Sequence, residues 1–388
     1  MFKLLDSELY NAQFVRAIGN TAYNAAEISE CLTVRDKLEA HNAELWYESW
    51  FKQATKNLNY AIDAKRNGLK ETAYLNFLRA STYFRSSFFF LEDQPNDKRI
   101  EDALDKSINS FQETIQLMNY EVKIINIPFR DMLLPAYLYL SSDQKKPLII
   151  TCSGGDGTKE ESFSCASEAL SHGYHCITFE GPGQGSVLRK HKIPFVPDWE
   201  NVVGAVIDYI LHYPQVDANN LIYYGKSFGG FLGARAVAYE KRIKACILDP
   251  GQFNSNTMIE QISQKLEKVQ SISEYIQKQV NENPKSDFAF KINSRLWRFG
   301  ADSIDKFLQV IPLYKLEDRV KNINCKMLIL DNEEEYLTKG QAKLLYDKLS
   351  CQKEYYLFSA NENTGGHCQP LAPKITFSYI FDWLNKVL

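Results

Sequence analysis

Six short apolar runs, each closed by a turn and followed by a helix-like stretch, constrain this chain more than any other feature. They are PLIITCSGG, HCITFEGPGQG, NLIYYGKSFGG, KACILDPG, CKMLILDN and KEYYLFSA. A strand covered on both faces reads as a continuous apolar run. Strands that alternate with helices pair in parallel, because each crossover returns along one face of the sheet. The pattern predicts an α/β fold: a mostly parallel sheet with helices on both sides. In such sheets the chemistry gathers at the carboxyl ends of the strands. VKIINIPF and LLPAYLYL are rich in β-branched and aromatic residues and read as two strands ahead of the series.

Before Tyr120 the texture is helical. NAELWYESWFKQATKNLNYAIDAKRNG has helical apolar spacing and stops on Gly68. ETAYLNFLRASTYFRSSFFFLEDQP runs to Pro95, and IEDALDKSINSFQETIQLMN follows. Between Gln252 and Asn324 the strand rhythm breaks, with helical, polar MIEQISQKLEKVQSISEYIQKQV and SIDKFLQVIPLYKLEDRV. PKITFSYIFDWLNKVL reads as the last helix. The expected organisation is an N-terminal helical cap region over 1–119, a first part of the core over 120–251, a helical lid insertion over 252–324 and a second part of the core over 325–388.

A net charge of −3 argues against a nucleic-acid binder, which needs a basic face. The aromatic content of 13% fits either a well-packed core or a pocket for a flat, greasy ligand. The eight cysteines include no CxxC pair and no zinc spacing, so no metal site is expected. Several sit in apolar runs, as buried reduced thiols do, which predicts a cytoplasmic protein. MFKLLDSELYNAQF lacks the apolar core of a signal peptide, and no uninterrupted apolar run is long enough to span a membrane.

Gly225-Lys226-Ser227-Phe228-Gly229 matches G-x-S-x-G, in which a serine sits on a sharp strand-to-helix turn. The pattern alone is common. Here LIYY before it reads as a buried strand, and GGFLGARAVAYE after it as a packed helix start. Ser227 is therefore the candidate nucleophile. On such an elbow the serine is followed along the chain by its acid and then its histidine. His41, His172, His175, His191 and His212 all precede Ser227, which leaves His367, in the loop NENTGGHCQP, as the base. The acid is expected after CKMLILD, where Asp331, Glu333, Glu334 and Glu335 all qualify. Glycine often ends this strand, with the acid three residues on; Asn332 takes that place and points to Glu335, with Glu334 and Asp331 as alternatives.

Backbone N–H groups stabilise the tetrahedral oxyanion, each contributing roughly 3 kcal/mol. Phe228, after the nucleophile, is one expected donor. The second is expected from the loop Ser153-Gly154-Gly155-Asp156-Gly157, where Gly155 is the candidate. Asp156 reads either as an ordinary turn aspartate or as a group that orients substrate or handles a proton, because an ionised carboxylate there opposes the oxyanion.

Taken together, these segments resemble the α/β-hydrolases related to 2,6-dihydroxypseudooxynicotine hydrolase and to the polyketide-shortening hydrolases. SGGDGTKEES resembles the family's acidic loop after the third strand. FEGPGQGS resembles its D-G-P-G-Q-G turn, with Glu180 in place of aspartate. GKSFGG resembles its elbow, GGHCQ its histidine loop, and FLRASTYFRSSFFF a helix that helps cap the pocket. The resemblance runs from about Tyr74 onward. It implies an α/β-hydrolase fold with a helical cap, a homodimer, no metal and no organic cofactor, and an acidic residue at Asp156 that assists catalysis. Glu335 departs from it, since the family usually has aspartate there. The implied reaction is hydrolysis of a carbon–carbon bond next to a carbonyl, in an aromatic or polyketide-like small molecule. A carboxylesterase or thioesterase is the alternative, and a non-catalytic binding protein on the same scaffold a third.

Overall fold

Among the described residues, eight strands form one sheet. They are β1 (Glu121–Phe129), β2 (Met132–Leu140), β3 (Lys146–Cys152), β4 (His175–Phe179), β5 (Val216–Lys226), β6 (Ile243–Asp249), β7 (Lys326–Asn332) and β8 (Lys353–Phe358). Their order is β1-β2-β4-β3-β5-β6-β7-β8. The two strands ahead of the helical crossovers pair antiparallel, β1 with β2 and β2 with β4. Every later pairing is parallel. β1 alternates buried and exposed residues toward its end, as a strand covered on one face does, whereas β4 is buried throughout. The predicted α/β class is the observed one.

The computed structural model describes residues 2–265 and 271–388. Residues 266–270, part of the expected lid stretch, lie outside the described residues. The chain forms two compact units. One comprises Met1–Asn119 and Ile276–Trp297; the other comprises Tyr120–Tyr275 and Arg298–Leu388. The stretch 252–324 is thus shared: its middle belongs with the N-terminal helices and its two ends with the sheet.

In the sheet unit two pairs of helices pack together. Phe163–Ser171 meets Pro373–Val387, and Trp199–Ile210 meets Phe228–Val237. The core of this unit holds Ile150, Ile177, Tyr223, Ile247 and Ile329, all fully buried.

In the helical unit, Glu8–Gly19 and Ile28–Arg35 precede the three longer helices Ala43–Arg66, Lys70–Ser87 and Lys98–Leu117. The Asn42 side chain caps the first of these three by accepting from Leu45 N at 3.0 Å. Gly68, the expected stop, follows its end at φ 72°. Aromatic rings build this unit's core: Phe14, Trp46, Trp50, Tyr83 and Phe84 are buried together with Phe290. Phe290 comes from the helix Asp287–Arg298. The Asp287 carboxylate accepts from Ser7 Oγ at 3.0 Å and Leu9 N at 3.2 Å, at the positive end of Glu8–Gly19. Residues far apart in sequence therefore close one core.

Candidate active site

β5 ends at Lys226, the next helix begins at Phe228, and Ser227 lies between them with φ 57° and ψ −125°. Such a backbone costs a non-glycine residue of order 1–3 kcal/mol and persists only where its surroundings enforce it. Ser227 N donates to Asp249 O at 2.6 Å. Ser227 O accepts from Gly230 N and from Gln252 Nε2, each at 2.8 Å. The motif's glycines are needed for space: a Cβ on Gly225 would lie 2.1 Å from Gly229 O, and one on Gly229 2.5 Å from Cys152 O.

Ser227 Oγ lies 2.8 Å from His367 Nε2, and His367 Nδ1 lies 2.7 Å from Glu335 Oε2. With the Nδ1 proton directed at Glu335, Nε2 is left to accept from the hydroxyl. The other Glu335 oxygen accepts from Leu337 N at 2.8 Å and Thr338 N at 3.0 Å, so this buried carboxylate is held at both ends. Burial works to raise its pKa; His367 and the two backbone donors outweigh that and lower it. Burial likewise opposes a charged His367, but the Glu335 carboxylate hydrogen-bonded to it raises its pKa above the ordinary histidine value.

Two of the other expected carboxylates, Asp331 and Glu333, are engaged elsewhere. Asp331 accepts from Tyr355 OH and from Asn332 N, each at 2.8 Å. Glu333 accepts from Ala360 N at 2.7 Å. Glu334 N donates to Asn332 Oδ1 at 2.8 Å, and Asn332 Nδ2 reaches Thr364 Oγ1 at 2.7 Å, so the acidic loop and the histidine loop are laced together.

Gly154 lies against Ser227: a Cβ there would come 2.7 Å from Ser227 Cβ. Gly155 follows it, near Phe228. Asp156 is half-buried, and its carbonyl accepts from Arg189 Nη2 at 2.8 Å. Phe228 is ringed by aromatics of the same unit: Phe195 (5.0 Å between centroids), Phe299 and Phe231 (5.6 Å each) and Tyr314 (5.9 Å). Among the described residues no group of three or more His, Cys, Asp or Glu is arranged to hold a metal ion, and no helix is long and apolar enough to cross a membrane.

Two supports escape a motif-based reading. Asp249 ends β6, fully buried, and burial pushes its carboxyl up to about 6. With its amide nitrogen turned inward, Gln369 donates to both Asp249 oxygens, at 2.9 and 3.0 Å. Asp249 O meanwhile accepts from Ser227 N and the Cys368 thiol. One residue thus ties the elbow to the histidine loop. The second support is the turn after β4. Buried Glu180 accepts from Ser186 N at 2.8 Å and Ser186 Oγ at 2.6 Å, and it pairs with buried Lys159 at 3.4 Å. Asp249 carries no sequence signal beyond ending an apolar run; the GPGQG spelling flagged the second without giving its task.

No family model matches the chain. The 20-hydroxy-prefusarin hydrolase FUS2 of Gibberella moniliformis is 37% identical over 265 residues, which span 66% of this chain and 63% of that protein. The hydrolyase poxO of Penicillium oxalicum is 30% identical over 353 residues, 85% of this chain and 84% of that one. This chain belongs to the α/β-hydrolases. The crystal structure of 2,6-dihydroxy-pseudo-oxynicotine hydrolase matches this hydrolase over 95% of both chains, with a TM-score of 0.77 and 19% identity, a likeness of fold. The resemblance read from the motif loops points to the same group, and the protein is an enzyme of the hydrolase class.

Proposed function

We propose that this α/β-hydrolase is a serine hydrolase that cleaves a carbon–carbon bond next to a carbonyl, in a β-diketone or polyketide-like substrate. The observation that carries the nucleophilic part is the unbroken run of hydrogen bonds Ser227 Oγ–His367–Glu335, at 2.8 and 2.7 Å. Ser227 Oγ attacks the carbonyl carbon while His367 Nε2 takes its proton. Glu335 holds the imidazole tautomer and stabilises the imidazolium. The N–H groups of Phe228 and Gly155 receive the oxyanion. Collapse breaks the carbon–carbon bond; its electron pair leaves as an enolate, which takes the proton from His367. Water, deprotonated by His367, then releases the acyl group as a carboxylic acid and restores Ser227.

The carbon–carbon preference is supported by the resemblance of the acidic, GPGQG and histidine loops to polyketide-shortening hydrolases. The aromatic content of 13% suits a pocket for a flat substrate. Asp156 directly follows Gly155 in the same loop, where it would orient an enol or a water. The N-terminal helices with the 252–324 insertion would serve as the lid, in a homodimer. Eight free thiols suit a reducing, cytoplasmic setting.

A paired assay tests this. The protein is given a 1,3-diketone and a p-nitrophenyl ester, and separately a fluorophosphonate probe. The expected result is diketone cleavage to ketone and acid, with labelling lost in Ser227→Ala. Ester turnover with no diketone cleavage favours a carboxylesterase or thioesterase. A folded wild type that takes no label favours a binding protein.

A further inference from the structure

We propose that Gln184, the glutamine of GPGQG, is a positioning residue that aims the Gly155 N–H at the oxyanion. This rests on the reading of Gly155 as an oxyanion donor. The peptide unit is planar, so the Gly154 carbonyl and the Gly155 N–H point in opposite directions and turn together. Whatever grips Gly154 O therefore sets the direction of Gly155 N–H.

Gln184 supplies that grip. Its Nε2 donates to Ser153 O at 2.6 Å and to Gly154 O at 3.3 Å. Its own Oε1 accepts from Gly181 N at 3.1 Å, so an amide flip would forfeit bonds at both ends. The side chain is fully buried, and water cannot replace what it donates. A hydrogen bond accepted by Gly154 O also polarises the peptide and strengthens its N–H as a donor.

The grip continues along the loop from the same turn. Arg189 Nη2 holds Asp156 O at 2.8 Å, and Gly185 N holds Gly157 O at 3.2 Å. Glu180 fixes the turn itself through Ser186, and through Lys159 N, which donates to it at 3.2 Å. Gly185 has no room for a side chain, since its Cβ would fall 1.9 Å from the Glu180 carboxyl carbon. The loop is pressed onto Ser227 from one side and held by this turn from the other. A backbone of glycines has little stiffness of its own, so its aim must come from outside.

Gln184→Met keeps the length and removes the donor. Removing one oxyanion donor outright costs about 10²–10³-fold in kcat, and misaiming one is expected to cost about 10–100-fold. The measurements are kcat and KM on a p-nitrophenyl ester, the affinity of a trifluoromethyl ketone, whose adduct carries the oxyanion, and the acid limb of the rate against pH. The expected result is a fall in kcat, a fall in ketone affinity by the same factor, KM within about twofold and an unmoved acid limb. Gln184→Glu is the second variant should Gln184→Met fail to fold. Its protonated carboxyl can donate and its carboxylate cannot, so its kcat should decline with rising pH where the wild type's does not. Folded variants with unchanged kcat and ketone affinity overturn the proposal, as does a shifted acid limb. A wild type whose turnover survives Ser227→Ala overturns the parent reading, and this one with it.

Discussion

Each unit of this hydrolase buries a string of hydrogen-bonded side chains, and the two strings end differently. In the helical unit Glu30 accepts from Tyr83 OH at 2.8 Å and from Asn57 at 2.9 Å, and it faces Arg79 at 3.1 Å. Asn57 accepts from Gln53 at 2.7 Å, and Tyr83 OH takes Glu27 N at 2.8 Å. Every thread returns to the helices that hold it. In the sheet unit the string starts on a pinned carboxylate, Glu335, and ends on a half-buried hydroxyl held on a strained turn, Ser227. The contrast shows that polar burial alone does not mark a site. Both strings offset desolvation with hydrogen bonds, but only the second leaves its last atom on a backbone that packing must force into place.

The contrast breaks most visibly at its far end. Ser227→Ala should lower turnover by about 10⁴-fold or more while the melting temperature holds, because the hydroxyl lies at the end of the string and supports nothing beyond it. Steady-state rates beside thermal melts check this, and a variant that melts early but keeps its rate would contradict it. Glu335→Gln is expected next in size, at about 10³–10⁴-fold in kcat. Asp331→Asn and Glu334→Gln should each cost less than about tenfold. If either matched Glu335→Gln, the acid would be misassigned.

The pH dependence sharpens the same point. The proposed base, His367, would act in its neutral form, so the rate should fall as pH drops through its pKa. That pKa lies above the ordinary histidine value, so the acid limb should lie on the alkaline side of a free imidazole's. Glu335→Gln removes the anion and should move the residual limb to lower pH. The smallest effect belongs to the closed string. Tyr83→Phe leaves partners unpaired and should cost about 1–3 kcal/mol in denaturant unfolding with kcat unchanged.

Much of this arrangement was legible before any coordinates. Apolar runs forecast β3 to β7 because fully covered strands carry little else; β8, the edge strand with Glu354 and Leu357 exposed, was forecast by its β-favouring aromatic residues, and Gly68 marked a helix end because the chain there needs a positive φ. Ser227 and His367, 140 positions apart in sequence, were joined by chain order and lie 2.8 Å apart. Spacing pointed to Glu335, but the four neighbouring carboxylates read alike in one dimension. Tyr355 and Ala360, arriving from β8 and the loop after it, occupy Asp331 and Glu333 and so separate them from Glu335. The division of 252–324 was not legible either. Helical periodicity says that a face must be buried, and not against which neighbour.

By itself the sequence determined local events: which runs form strands, where a turn demands glycine, and in what order Ser227, Glu335 and His367 are strung. Those depend on steric and apolar preferences that a few residues carry. Tertiary structure decided which carboxylate meets His367, that Asp249 binds the elbow to the histidine loop, and that Gln184 clasps the loop after β3. Each of these is a contact between segments distant in the chain. Its geometry comes from packing, and no local preference encodes it.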